Sequence, residues 1–332
     1  MANKEENIIW TEKYRPVNFK QIVGQDKNVI MLEKMIINGS LPHLLFHGKS
    51  GTGKTSLIMS LVNKIYGRNN PFMVMKLDAS DDRGINTVRE EIKGFADKMT
   101  PGNNGIKLII LDEADSMTYD AQFALRRIIE IYSDNTRFCL ICNYENKIIP
   151  AIKSRCVNLR FLPIKNDIII NKIKEICSIE EINYTVDCIN SIAVISNGDL
   201  RKAINMLQSI SMMKKKISSD ICYNSTGIPN PTLVKELFNK LIDPLVDFET
   251  TYLYMKTNIL DEGILLSFLC QELTSYMTNQ IINETISFNK QYNNYPQIII
   301  DMAKLECDVS ISTFNDIYMS GLISIFKKQY TR

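Results

Sequence analysis

The hydrophobic pattern divides the chain into two regimes, an alternation of short apolar runs with helical spacings, then helical spacings alone. Residues 1–21 are polar, with the single tryptophan at Trp10. After Gly24 the spacing of Ile30, Leu32, Ile36 and Ile37 predicts a helix within 22–40. Leu44-Leu45-Phe46 reads as a short buried strand, followed by a glycine-rich turn and a helix through about Tyr66. A second strand is expected at 72–77, and a helix at 84–99, where Ile85, Val88, Ile92, Phe95 and Met99 recur every three or four residues. Leu108-Ile109-Ile110-Leu111 is apolar throughout, as a parallel strand covered on both faces requires. A helix at 118–132 and strands at 138–142 and 157–161 complete the alternation, which predicts a doubly wound parallel sheet. Beyond Pro163 only amphipathic helices are expected, over 165–183, 185–226 and 232–332, with a linker at Gly227-Ile228-Pro229-Asn230-Pro231. The expected domains are an α/β nucleotide-binding domain at 1–162, a small helical lid at 163–227 and an all-α domain at 228–332.

Composition narrows the class. A length of 332 residues exceeds what one core organises. No apolar run approaches the roughly 20 residues of a membrane-spanning helix. Met1-Ala2-Asn3-Lys4-Glu5-Glu6 has no stretch like that of a secretory signal, so a cytosolic or nuclear protein is expected. The net charge of +2 means that any contact with nucleic acid must come from local placement of Lys and Arg. Of the eight cysteines only Cys139 and Cys142 lie close together, and His43 and His47 are far upstream. Reduced cysteines within strands and helices fit this spacing better than a zinc site does.

The chemistry concentrates in two places. Gly48-Lys49-Ser50-Gly51-Thr52-Gly53-Lys54-Thr55 satisfies G-x-x-x-x-G-K-[ST] between an expected strand and an expected helix, and Ser56 follows it. In that context backbone N–H groups and the helix N-terminus converge on phosphate oxygens. Lys54 would reach the β- and γ-phosphates of ATP, and Thr55 would hold Mg²⁺. The third strand ends in Asp112-Glu113-Ala114-Asp115. Asp112 would organise the metal and its waters, and Glu113 would polarise the attacking water. Asp115 suits a helix N-cap with acidic first-turn residues. Asn143 ends the fourth strand, where it would orient the attacking water or sense the γ-phosphate, or simply close a turn.

These residues resemble a known family. Trp10-Thr11-Glu12-Lys13-Tyr14-Arg15-Pro16 is similar to the N-terminal signature of replication factor C and other clamp-loader ATPases. The stretches from Asp78 to Ile85 and from Leu111 to Asp115, Ser154-Arg155-Cys156 and Gly198-Asp199-Leu200-Arg201 match its further motifs in order and spacing. The resemblance covers residues 8–212 and fades over the last hundred. It implies an AAA+ ATPase within a heteropentameric ring held by helical collar domains. That ring opens the clamp, proliferating cell nuclear antigen, and loads it onto primer–template DNA in the nucleus. It places Thr11, Arg15 and Val23 near the adenine and ribose. It makes Arg155 a finger into the neighbouring subunit's ATP, and Arg201 a phosphate ligand. The family usually carries two prolines where this chain has Lys49 and Ser50, which puts loop rigidity and hydrolysis rate in question.

Arg83, Arg89 and Lys93 lie along one edge of the helix expected at 84–99. They would either track a DNA backbone, as the family does, or form a solvated face balanced by Glu90 and Glu91. Arg126 and Arg127 serve DNA or a subunit interface equally well. The resemblance puts a clamp contact at Ile92, Phe95 and Met99, although such spacing also builds core. A working ATPase subunit is the expected function. A ring-completing subunit that binds ATP with little hydrolysis, and an unrelated P-loop kinase, are the alternatives.

Overall fold

The computed structural model describes residues 8–67, 71–79, 85–98, 105–212, 219–282, 295–311 and 315–328. They divide into two compact units, one within Met1–Ile182 and Ile192–Ser209, the other within Asn183–Ser191 and Ile210–Arg332.

The first unit opens with a one-turn helix α1 (Trp10–Lys13) and helix α2 (Asp26–Ile37). Strands β1 (Leu44–Gly48), β2 (Val74–Asp78), β3 (Lys107–Asp112), β4 (Thr136–Cys142) and β5 (Val157–Phe161) then alternate with helices. These are α3 (Lys54–Tyr66), α4 (Ile85–Asp97), α5 (Tyr119–Ile131) and the short α6 (Pro150–Lys153). The strands form one parallel sheet in the order β2–β3–β4–β1–β5. The alternation of side chains along each strand explains why both faces are apolar. Leu44, Phe46, Ile110, Cys139 and Ile141 join α2 and α3 in one core. Leu45, Ile109, Leu111, Phe138, Leu140 and Cys142 join α4, α5 and α6 in the other. Cys139 and Cys142 therefore belong to opposite cores, which fits buried thiols better than a paired metal site.

The expected elements are present with shifts at their ends: β2 begins at Val74 instead of Phe72, and β4 at Thr136 instead of Phe138. Phe72 is exposed. Helices α7 (Asn166–Ile179), α8 (Val186–Ser196), α9 (Leu200–Ser211) and α10 (Ser219–Thr226) follow.

The second unit's core is built from α11 (Pro231–Ile242), α12 (Phe248–Met255), α13 (Leu266–Ile282), α14 (Tyr295–Ile311) and α15 (Asn315–Lys327). Phe238 is sandwiched between Tyr276 and Phe326 in edge-to-face contacts. The Lys327 ammonium donates to the carbonyls of Lys240, Asp243 and Val246, satisfying acceptors at the end of α11 and in the turn that follows it. Among the described residues no helix is long and apolar enough to cross a membrane.

Candidate functional site

The site lies at the carboxyl ends of the central strands, where β1 feeds α3 through residues 49–53. Three glycines here have positive φ, Gly53 (φ 95°) among them. A Cβ at Gly48 (φ 146°) would stand 2.3 Å from the Phe161 carbonyl oxygen. One at Gly51 (φ 66°) would collide with the Asp199 carboxylate at 1.6 Å. The Lys54 side chain folds back into the loop. Its ammonium donates to the Gly48 carbonyl at 2.6 Å, the Lys49 carbonyl at 2.8 Å and the Asn143 side-chain oxygen at 2.9 Å. Burial pushes its pKa below the ordinary lysine value. Lys49 and Ser50 are exposed. Here the Thr52 hydroxyl donates to the Lys49 carbonyl at 2.8 Å, and the buried Gln25 amide donates to the carbonyls of Thr52 and Leu162. Side-chain hydrogen bonds thus hold this loop without prolines.

Beside the loop, the Thr55 hydroxyl donates to the Asp112 carboxylate at 3.2 Å. The Lys76 ammonium lies 3.5 Å from the same carboxylate oxygen. Lys76 was not singled out from the sequence, yet a signal was present. Lys76 pairs in register with Ile110, so Asp112 two residues on shares its face of the sheet. Glu113 is exposed beside the loop and has a left-handed backbone at φ 53°. For a non-glycine residue that conformation costs about 1–2 kcal/mol, as strained backbone at functional sites does. Asp115 departs from the N-cap expectation. It sits in a short 3₁₀ turn, and its carboxylate accepts from the backbone N–H groups of Asn143 and Tyr144 at 3.2 and 3.1 Å. It therefore fixes the end of β4, and with it Asn143.

One cleft collects these groups. Its floor contains Ser50, Gly51, Thr52, Gly53, Lys54, Thr55 and Ser56, with Asp112, Glu113 and Asn143 beside them. Thr11, Arg15 and Val23 line one wall, and Arg201 lines another with Ile164, Leu200 and Ile204. Gly48 and Lys49 contribute through the carbonyls that hold Lys54. Sequence reasoning missed Tyr14, Ile22 and Asp78 in the lining. Tyr14 lies inside the N-terminal signature and Asp78 opens the motif that runs to Ile85, so both carried a signal, whereas Ile22 did not.

Arg155 lies elsewhere. Its guanidinium donates to the Ala151 carbonyl at 2.7 Å and forms a short ion pair with Glu130, which Arg126 also reaches at 3.0 Å. It does not line the cleft. In α4, Lys93 is partly exposed. Only the backbone of Arg89 is described, and Arg83 and Met99 lie outside the described residues. Ile92 and Phe95, expected at a clamp contact, are 1% and 9% exposed and belong to the core under the sheet, because the apolar stripe of α4 faces inward. No group of three or more His, Cys, Asp or Glu able to hold a metal occurs among the described residues.

A buried ammonium at a helix N-terminus, held only by carbonyl and amide oxygens, is a receptor for polyphosphate. With the acidic strand end beside it, the chain falls among the P-loop nucleoside triphosphatases. Comparison with known proteins refines the class. The family described as "ATPase family associated with various cellular activities (AAA)" matches residues 44–164, and an "RCF1/5-like, AAA+ ATPase lid domain" matches 171–212. The chain is 37% identical over 326 residues to a probable replication factor C subunit 5 of Dictyostelium discoideum, covering 97% of this chain and 91% of that protein. It is 36% identical over 332 residues to replication factor C subunit 3 of Saccharomyces cerevisiae (98% and 95%), and 35% over 328 residues to replication factor C subunit 5 of Homo sapiens (98% and 93%). The chain belongs to the replication factor C subunit family and is an AAA+ ATPase. Among solved structures, the Thermotoga maritima RuvB Holliday junction branch migration motor shares the fold, with a TM-score of 0.52 at 17% identity over 76% of this chain and 90% of that one.

Proposed function

We propose that the cleft binds ATP with Mg²⁺ and hydrolyses it to ADP and phosphate, and that this drives one step in loading the clamp onto DNA. The observation that carries this reading is that Lys54, Thr55, Asp112 and Asn143 line one cleft at a helix N-terminus, linked by the Lys54–Asn143 and Thr55–Asp112 hydrogen bonds. The loop amides and the Lys54 ammonium bind the phosphates. Lys54 trades loop carbonyls for phosphate oxygens, and its charge offsets the charge that develops as the terminal phosphate leaves. The Thr55 hydroxyl and Asp112 carboxylate, already within hydrogen-bond distance, suit an oxygen-preferring divalent cation. Such an ion supplies positive charge to the phosphate oxygens. Glu113 accepts hydrogen bonding from the attacking water, and Asn143 orients it. Thr11, Arg15 and Val23 hold the base and ribose, and Arg201 brings a second cation to the phosphates.

Arg155 completes the neighbouring subunit's site in trans. Its exposed position outside this chain's own cleft supports that role. The chain then acts within a heteromeric ring of replication factor C subunits, as a clamp loader for proliferating cell nuclear antigen in the nucleus. Residues 1–162 act as the nucleotide domain, 163–227 as the lid and 228–332 as the collar that joins the ring. Arg83, Arg89 and Lys93 contact the primer–template backbone without reading sequence.

The test is Glu113→Gln within the assembled complex. ATP binding should persist, while DNA- and clamp-stimulated turnover at this site falls roughly 10²-fold or more, the size of losing general-base assistance. Unchanged turnover and loading would sink the reading.

A further inference from the structure

The wall of the cleft formed by the N-terminal arm is tied to the end of α7 and to α9, the helix that lines the opposite wall. The Glu180 carboxylate, at the C-terminal end of α7, receives the Lys13 ammonium at 2.6 Å. The same oxygen accepts a short hydrogen bond from the Tyr14 hydroxyl. The Glu180 side chain is 19% exposed, so both bonds are largely shielded from water. A third tie joins the arm to the opposite wall itself, from the Trp10 backbone N–H to the Gln208 side-chain oxygen in α9 at 3.0 Å. All of these residues lie in the first unit.

The position of the ties gives them a consequence. Thr11, Tyr14 and Arg15 line the cleft from the arm side, and Leu200, Arg201 and Ile204 line it from the α9 side. A nucleotide bound between them touches both walls, so the ties that fix their separation bear on how readily it leaves. The carboxylate is the point at which both donors converge, and it lies outside the cleft lining. Its pKa is held below the ordinary glutamate value by the Lys13 and Tyr14 hydrogen bonds, against a larger opposing effect of burial.

We infer that Glu180 is a positioning residue, a latch that holds the arm against α7 and so sets how long nucleotide stays bound. The latch rests on the reading of the cleft as an ATP site. It makes nucleotide exchange a property of the Lys13–Tyr14–Glu180 cluster and hydrolysis a property of Lys54, Asp112 and Glu113. The two rates are then separately adjustable by substitution.

The experiment uses the full chain in its native complex and a fluorescent ADP analogue, with release followed by stopped flow. Glu180→Gln, which preserves shape, and Lys13→Met, on the more exposed side, should each speed release. The expected acceleration is about tenfold for Glu180→Gln, the size of weakening a charge-assisted hydrogen bond. The double variant should release no faster than Glu180→Gln alone, since both changes break one contact. Single-turnover hydrolysis of pre-bound ATP in Glu180→Gln should match that of the unmodified complex, which a general loosening of the fold would not allow. If the analogue binds but both variants release it at the unmodified rate, the latch is wrong while the ATP site stands. If the unmodified complex takes up no nucleotide, both fall.

Discussion

The Lys54 ammonium donates to the Asn143 side-chain oxygen at 2.9 Å, which links the phosphate loop to the end of β4. Asp115 accepts from the Asn143 backbone N–H and so fixes the strand end that carries this amide. Replacing Asn143 with Ala should therefore leave ATP affinity largely intact. It should lower the hydrolytic rate roughly 10²-fold, as losing one positioned polar group at a developing charge does. Steady-state kinetics that show an unchanged rate would make Asn143 a turn residue.

Arg155 predicts an effect on a different molecule from the one that carries it. Arg155→Ala should leave binding in this chain's own cleft untouched, because the guanidinium does not line it. Hydrolysis at the site it completes in the ring should fall roughly 10³-fold. Single-turnover assays on rings in which only one site is competent separate the two. Lost binding in this chain's own cleft would contradict the role in trans.

His43 predicts a pH dependence of stability. Its ring packs on Phe138, and its Nδ1 accepts the Phe138 backbone N–H at 3.2 Å, which requires the neutral ring. Burial, with the Arg137 guanidinium nearby, lowers its pKa from 6.5 to about 4. A folded-state pKa below the unfolded one means that the unfolded chain binds the proton first as pH falls. The stabilisation is thus fully present above pH 6.5 and lost as pH drops to about 4. The loss attributable to His43 should be roughly 2 kcal/mol, after allowing for partial solvent screening. His43→Asn, which keeps an acceptor without titrating in this range, should remove that component from urea unfolding measured across the window. Parallel curves for the two proteins would contradict it.

How much of this was legible in the sequence depended on whether the information was contiguous. The phosphate loop and the acidic strand end are local patterns that need only their neighbouring strand and helix, and both emerged where expected. The two-sided core was readable from the unbroken apolar run at 108–111. Contacts between distant segments left no local trace. The Glu180 carboxylate meets Tyr14 across 166 residues, and Gln25 reaches Leu162 across 137. Lys107 was equally unreadable. Its position beginning an apolar strand gives no hint that its ammonium is buried, donating to the carbonyls of Phe95 and Ala96 at the end of α4. Helical spacing also could not say which face of α4 turns inward, so Ile92 and Phe95 suited a partner surface and a core equally until the sheet was in place.

The central claim is that the loop ending at Lys54 receives the triphosphate. Titration of the native complex with Mg·ATPγS tests it most directly, comparing the unmodified chain with Lys54→Ala. Removing an ammonium aimed at phosphate should weaken uptake at this site at least about tenfold, the scale of one lost charge-assisted contact. Equal uptake by the two proteins, or none by the unmodified complex, would contradict the account.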